Sequence, residues 1–322
     1  MPSLKEIKGR IASVNSTRKI TSAMKMVASS KLHHAQVAIQ NMLPYETQLE
    51  HIISSFLAAE VNAQNVFTTD RPVHNVALVV YSSNSSLCGG FNANIIKIML
   101  QVIEHCKSKG IGVIIYPIGR KVAEKVSKLG MTPMGDYADM VDKPSIKQCI
   151  SLAEDLVLKF KNKEVDRVEL IYHHFKSAGS QVLTHKKFLP FNLEEELERD
   201  HERDLTSTIA TRESQEYLKK HGQRRQEKTG RKEVVPLNDN FIVEPDIATV
   251  LRQLMPKLAH LMLYTALLDS VASEHAARMV AMQTATDNAD ELLRELNLQY
   301  NKSRQQAITS ELLDIVGGSV NN

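Results

Sequence analysis

Residues 4–30 read LKEIKGRIASVNSTRKITSAMKMVASS, and this stretch decides the fold. Leu4, Ile7, Ile11 and Val14, then Ile20, Met24 and Val27, recur mostly at steps of three and four, the period of one face of an α-helix. From Leu4 to about Leu57 only Gly9 and Pro44 interrupt the pattern. A helix of that length measures about 80 Å at roughly 1.5 Å per residue, longer than a small domain is wide. It therefore needs a second long element to pack against.

That element lies at the other end of the chain. Leu251, Leu254, Leu258, Leu261, Tyr264, Leu268 and Val271, then Met282, Leu292, Leu296, Leu313 and Val316, repeat the same spacing. Two such helices at opposite termini read as an antiparallel coiled coil. Small residues suggest its register. Thr21, Ser22, Ala23, Ala28, Ser29 and Ser30 are set to face Ala272, Ser273, Ala276 and Ala277. Partner numbers then sum to roughly 301, and about 20 terminal residues project beyond Met1 as a single helix. Glu244-Pro245-Asp246 marks the start of the second helix, and Pro256 inside it predicts a kink or restart.

Between the helices, Asn75–Ser82, Ile111–Ile118, Arg167–Phe175 and Gln181–Leu189 read as strands rich in Val and Ile. Helical patterns at about 92–108, 120–129 and 145–162 separate the first three. This order predicts a largely parallel sheet. The fold class is α/β: a long antiparallel coiled coil of N- and C-terminal helices plus a central Rossmann-like α/β domain. The expected divisions are residues 1–60 and 245–322 for the coiled-coil helices, 70–191 for the α/β domain, and 192–240 for a charged, flexible insertion. The insertion, with LEEELERDHERD and KKHGQRRQEKTGRKE, has too few apolar residues to bury.

Composition narrows the function. With 40 basic and 37 acidic residues the net charge is +3, so nothing demands a polyanionic partner. Aromatic residues are only 5% and Trp is absent, which favours aliphatic helix packing. MPSLKEIKGRIAS lacks the apolar core of a secretory signal, and no apolar run approaches the roughly 18 residues of a membrane span. The expectation is a protein that is soluble or peripheral to a membrane. Cys88, Cys106 and Cys149 are unclustered and odd in number, as expected of reduced cytoplasmic thiols. Leu87-Cys88-Gly89-Gly90 lacks both the three spaced glycines of a dinucleotide fingerprint and the Lys-Ser/Thr of a P-loop. It reads as a tight turn into a helix at Asn92. His33-His34 and His173-His174 have no ligand partners at helical or turn spacing. No catalytic residue, cofactor or metal site is expected.

Four blocks carry a resemblance. The first is Thr17-Arg18-Lys19-Ile20-Thr21-Ser22-Ala23-Met24-Lys25-Met26-Val27-Ala28, preceded by Lys5-Glu6-Ile7 and Arg10-Ile11. The second is Leu87-Cys88-Gly89-Gly90-Phe91-Asn92. The third is Ala272-Ser273-Glu274-His275-Ala276-Ala277-Arg278-Met279-Val280-Ala281-Met282, with Ala285-Thr286-Asp287-Asn288-Ala289 and Tyr300-Asn301-Lys302. The fourth runs from Ile308-Thr309-Ser310-Glu311 to Gly317-Gly318. In this order they resemble the γ subunit of bacterial rotary ATP synthases across nearly the whole chain.

The resemblance implies a central stalk that turns inside a ring of α and β subunits, with its α/β domain on the ε subunit and the c-ring. It implies a peripheral protein at the cytoplasmic face of the bacterial inner membrane, coupling proton flow to the β sites and helping to regulate ATPase activity. It also places torque or interface residues at Arg18, Lys19, Met24, Arg278, Met282, Thr309 and Glu311. Met24 and Arg278 fall close together in the register above. Up to residue 31 the first helix carries Lys5, Lys8, Arg10, Arg18, Lys19, Lys25 and Lys31 against Glu6 alone, a cationic surface that matches the acidic loops of the family's β subunits. Two departures stand out. Asn84-Ser85-Ser86 replaces an expected Asp-Arg-Gly, and the paired cysteines of light-regulated plastid forms are missing, so thiol switching is not expected. The rival readings are a nucleotide-binding α/β enzyme using Cys88, and a coiled-coil scaffold, which would show stricter heptads than this drifting spacing.

Overall fold

The computed structural model describes residues 3–59, 67, 71–191 and 243–320. The 192–240 insertion lies outside the described residues. Helix α1 spans Leu4–Ala59 and is followed by strand β1, Asn75–Tyr81. Then come α2 (Phe91–Ser108), β2 (Gly112–Ile118), α3 (Arg120–Lys128), α4 (Ala138–Asp142) and α5 (Ile146–Lys161). Strands β3 (Arg167–Ser177) and β4 (Ser180–Leu189) precede the final helix α6, Ile247–Val320. The chain forms two compact units, one of Lys31–Ala277 and one of Met1–Ser30 with Arg278–Asn322.

The larger unit is built on a four-stranded sheet in the order β2-β1-β3-β4. β1 pairs in parallel with β2 and β3, whereas β3 and β4 are antiparallel. The expected parallel character stops at β3 because only Ala178 and Gly179 separate it from β4, and a parallel return needs a crossover of about a dozen residues. β1 is buried on both faces. Val76, Leu78 and Val80 pack with Ile95, Met99 and Ile103 of α2 and Val122 and Val126 of α3. Tyr81 and Tyr116 turn the other way, towards α5, where Tyr116 donates to Asp155 at 3.2 Å.

Asp166 fastens the entry to the sheet. Its carboxylate accepts from Arg71 Nε at 2.8 Å and from the backbone N–H groups of His74 at 2.8 Å and Asn75 at 3.0 Å. Arg71 also stacks over Phe160, 4.3 Å from the ring centre. At the other end of β1, Asn84 ties the corner through donors that an aspartate lacks. Its amide donates at 2.8 Å to Ala138 O and to Asp142 Oδ2, and its carbonyl accepts from Arg120 N. The substitution of Asn-Ser-Ser therefore leaves the corner tied down. Gly119 has φ +109°, and a Cβ there would lie 2.2 Å from Ser82 O, so no other residue fits.

α6 begins where the sequence suggested. Asp246 Oδ1 caps Thr249 N at 2.7 Å and Oδ2 accepts from the Thr249 hydroxyl at 2.8 Å. It does not restart at Pro256; the helix continues through it, with Leu251, Met255, Leu258 and Ala259 all buried. Burial of that face outweighs the single hydrogen bond that proline removes.

His173 on β3 lies in the packed interior, its ring 4.4 Å from and stacked on Phe91. Burial pushes its pKa down to about 4. The folded chain thus refuses a proton that the unfolded chain accepts below about 6.5. Above that pH the group leaves stability unchanged. Between pH 6.5 and 4 it should lower stability progressively, by up to about 3 kcal/mol. Urea midpoints measured across this range should slope downward with acid, and H173N should flatten the slope.

Candidate functional site

In the smaller unit, α1 and α6 run antiparallel, with Arg18 bound to Asp290 at 2.9 Å and Thr21 to Thr286 at 2.8 Å. A seam of buried and half-buried positions runs along α1 at 7, 11, 14, 18, 21, 25 and 28 and along α6 at 279, 282, 286, 289, 293, 296 and 300, flanked by further half-buried positions such as 15, 22 and 24 on α1 and 283 and 290 on α6. Both sets alternate steps of three and four, a strict heptad seam, and with Thr21 against Thr286 each pair sums to 307. The drifting spacing expected from the sequence belongs to the apolar residues, not to the buried ones. Arg18, Thr21 and Lys25 occupy seam positions and conceal the repeat.

The register consequently differs from the sum of roughly 301 that small residues suggested. Thr21 is in the seam as expected, but Ala23 is exposed. Met24 falls level with residue 283, not with Arg278, five residues or about 8 Å of helix rise away. Hydrogen bonding sets the alignment: a polar pair within a seam is satisfied in one register only, and Thr21–Thr286 is such a pair. Ser3, the first described residue and the one before α1, lies level with residue 304, so α6 extends past it from residue 305.

The apolar residues left over point outward. Ile20, Met26 and Val27 are 60%, 65% and 58% exposed. Leu298, Ile308, Leu312 and Leu313 on α6 are also exposed. Large apolar side chains turned to solvent, while an arginine and two threonines face the partner helix, mark a surface for another protein.

The predicted residues divide accordingly. Lys19, Thr309 and Glu311 are exposed, and the Thr309 hydroxyl donates to Gln305 O at 2.9 Å. Met24 is half-buried, whereas Arg278 and Met282 are buried. Arg18 holds Asp290 with both side chains about two-fifths exposed, a pair worth less than about 1 kcal/mol, so it orients more than it stabilises. Sequence reasoning missed Thr286 and Asp290, and it assigned Ile20 and Val27 to the wrong face. Extending the 7, 11, 14 repeat along α1 without regard to polarity reaches 18, 21, 25 and 28 and leaves Ile20 and Val27 outside the seam; it gives no signal for Thr286 or Asp290 on α6.

The place where α/β sheets usually bind ligands is occupied by the chain itself. Strand order reverses at β1, and the crevice lies at the carboxyl ends of β1 and β3. There Tyr81 Oη donates to Leu263 O and Ser273 Oγ to His173 O, both at 3.1 Å, so α6 fills the crevice. Cys88 is buried, with Asn92 Nδ2 donating to its sulfur at 3.1 Å, and both Leu87 and Gly89 take a positive φ in the turn. Burial pushes the Cys149 thiol up to about 12 and raises that of Cys106, which keeps both as unreactive thiols. Among the described residues no three His, Cys, Asp or Glu side chains come together as a metal site, and no helix is long and apolar enough to cross a membrane.

Comparison with known proteins agrees with this arrangement. A family model described as ATP synthase matches residues 3–320. The chain is 51% identical to the ATP synthase gamma chain of Phocaeicola vulgatus, over 99% of its own length and 100% of the relative's. It is 49% identical to that of Bacteroides fragilis over the same shares. These full-length matches take in the charged insertion. Among solved structures, a chain of the Euglena gracilis mitochondrial ATP synthase OSCP/F1/c-ring assembly has a TM-score of 0.59 at 18% identity, covering 98% of this chain and 93% of that one. The Tetrahymena thermophila mitochondrial ATP synthase central stalk/c-ring structure has a chain with a TM-score of 0.53 at 22% identity, covering 83% of this chain and 99% of that one. Heptad shaft, outward apolar face, self-filled sheet crevice and full-length relatives converge: the chain belongs to the ATP synthase gamma chain family.

Proposed function

We propose that this chain, the central rotor stalk of a rotary ATP synthase, is itself non-catalytic and transmits proton-driven rotation to the catalytic sites. Its paired helices stand inside the ring of α and β subunits. The α/β domain sits on the ε subunit and the c-ring at the cytoplasmic face of the bacterial inner membrane. In this reading residues 1–60 and 245–322 form the shaft and 70–191 the base, with 192–240 as an insertion open to regulatory use. Arg18, Lys19, Met24, Arg278, Met282, Thr309 and Glu311 carry or support the surface that meets the ring. Each orientation of an asymmetric shaft makes different contacts with three otherwise equivalent sites, and those differential contact energies bias their conformations in turn.

The observation that carries this reading is the outward apolar face at Ile20, Met26 and Val27 beside the exposed cation Lys19. The filled crevice supports the non-catalytic part and counts against a nucleotide-binding enzyme. Affinity purification of the tagged chain from its native membranes should recover α, β, ε and c subunits together with ATP hydrolysis. The chain purified alone should neither hydrolyse nor bind ATP. Recovery without those partners, or hydrolysis by the isolated chain, would sink the proposal.

A further inference from the structure

Among the apolar residues that α6 buries in the sheet-bearing unit are four polar ones, Thr265, Asp269, Ser270 and Ser273. Asp269 is 2% exposed, and its Oδ2 is 2.7 Å from Nδ1 of His174 on β3. One turn further on, Ser273 donates to the carbonyl of His173, the adjacent strand residue. Ten residues back along α6, Tyr81 at the end of β1 donates to Leu263 O. The sheet thus holds the helix at points about 15 Å apart along its axis.

Apolar packing is non-directional and lets a helix roll against a sheet at little cost, whereas hydrogen bonds have direction and resist rolling. A bond to an ionised carboxylate is the strongest of these. We infer that His174 and Asp269 form a torsional latch that makes the α/β base and α6 turn as one body. The role rests on the rotor reading above. Its function is stiffness, not chemistry, so His174 and Asp269 are positioning residues.

The test uses the assembled ATP synthase with its catalytic ring immobilised. A bead is attached at K128C, an exposed site on α3, while the three native cysteines are buried. The angular variance of the arrested bead reports torsional compliance. If the three polar tethers act as similar parallel springs, losing one should raise the variance roughly 1.5-fold. H174Q and D269N should each do so, the double variant should add nothing further, and ATP-driven rotation should keep its rate. C149A, which only removes buried volume in the same unit, should leave the variance unchanged. A wild-type bead that stays still during hydrolysis overturns the rotor reading and the latch with it. A rotating wild type with unchanged variance in H174Q and D269N overturns the latch alone. So does an equal rise in C149A, or failure of both latch variants to assemble.

Discussion

Cysteines at Thr21 and Thr286 should form a disulfide that leaves ATP hydrolysis and proton-driven synthesis near their normal rates, whereas a cysteine at Met26 cross-linked to the surrounding ring should abolish both. The hydroxyl oxygens of Thr21 and Thr286 are 2.8 Å apart. Sulfur atoms in their place need only a small approach to reach the roughly 2.05 Å of a disulfide, a bond that forms where Cα atoms lie within about 7 Å. The bond replaces a hydrogen bond worth about 1 kcal/mol and joins two parts of one rotating body. Met26 is exposed on the same segment of α1 but faces away from α6. A tether there joins rotor to stator, far from any helix end that could fray to relieve it. Activity assays before and after reduction separate the cases. Loss of turnover with the internal bond, and survival with the external one, would mean that the helices move against each other, and the shaft would have to be abandoned.

The second large effect concerns stability. D166A should destabilise the sheet-bearing unit by about 2–4 kcal/mol, because it takes the carboxylate from Arg71, which keeps only its bonds to the Phe160 and Val165 carbonyls, and leaves the N–H groups of His74 and Asn75 without their acceptor. Removing the exposed i,i+4 pair between Glu6 and Arg10 should change stability by less than about 0.5 kcal/mol. Asp166 also gives this effect a pH signature. Burial alone would raise its pKa, but the two backbone donors and Arg71 outweigh that and hold it below the ordinary 3.8. A lowered folded-state value means the stabilisation is complete above the ordinary carboxylate range and is lost as pH falls through the folded-state pKa. Calorimetry of D166N should show a lower midpoint at neutral pH and a smaller further loss below about pH 4. A midpoint equal to the parent's would show that Asp166 does not hold the sheet.

Much of this was legible in residue order. Val76–Val80 announced a buried strand because a central strand is apolar on both faces, and Ile111–Ile118 announced another, which lies at the sheet edge. Asp246 announced a helix start because its carboxylate can satisfy N–H groups that a first turn leaves open. The long helices were visible from periodicity alone. So was the family likeness, carried by blocks such as Thr17–Ala28 and Ala272–Met282. The short helix α4 was missed, since five residues are too few to show a period.

What the sequence by itself determined is the set of elements: which segments are helices, which are strands, where they start, and that the two ends must pair. Only the tertiary structure decided which faces meet. Ile20 and Val27 look like core and Arg18 and Lys25 like surface, yet they exchange places, because one Thr–Thr hydrogen bond and one Arg–Asp pair are satisfied in a single register. The same holds for His174 and Asp269, 95 residues apart in the chain. Periodicity is a property of neighbours along the helix and can be read locally. Register depends on what lies across from each residue, and that is settled by the geometry of polar groups brought together only on folding.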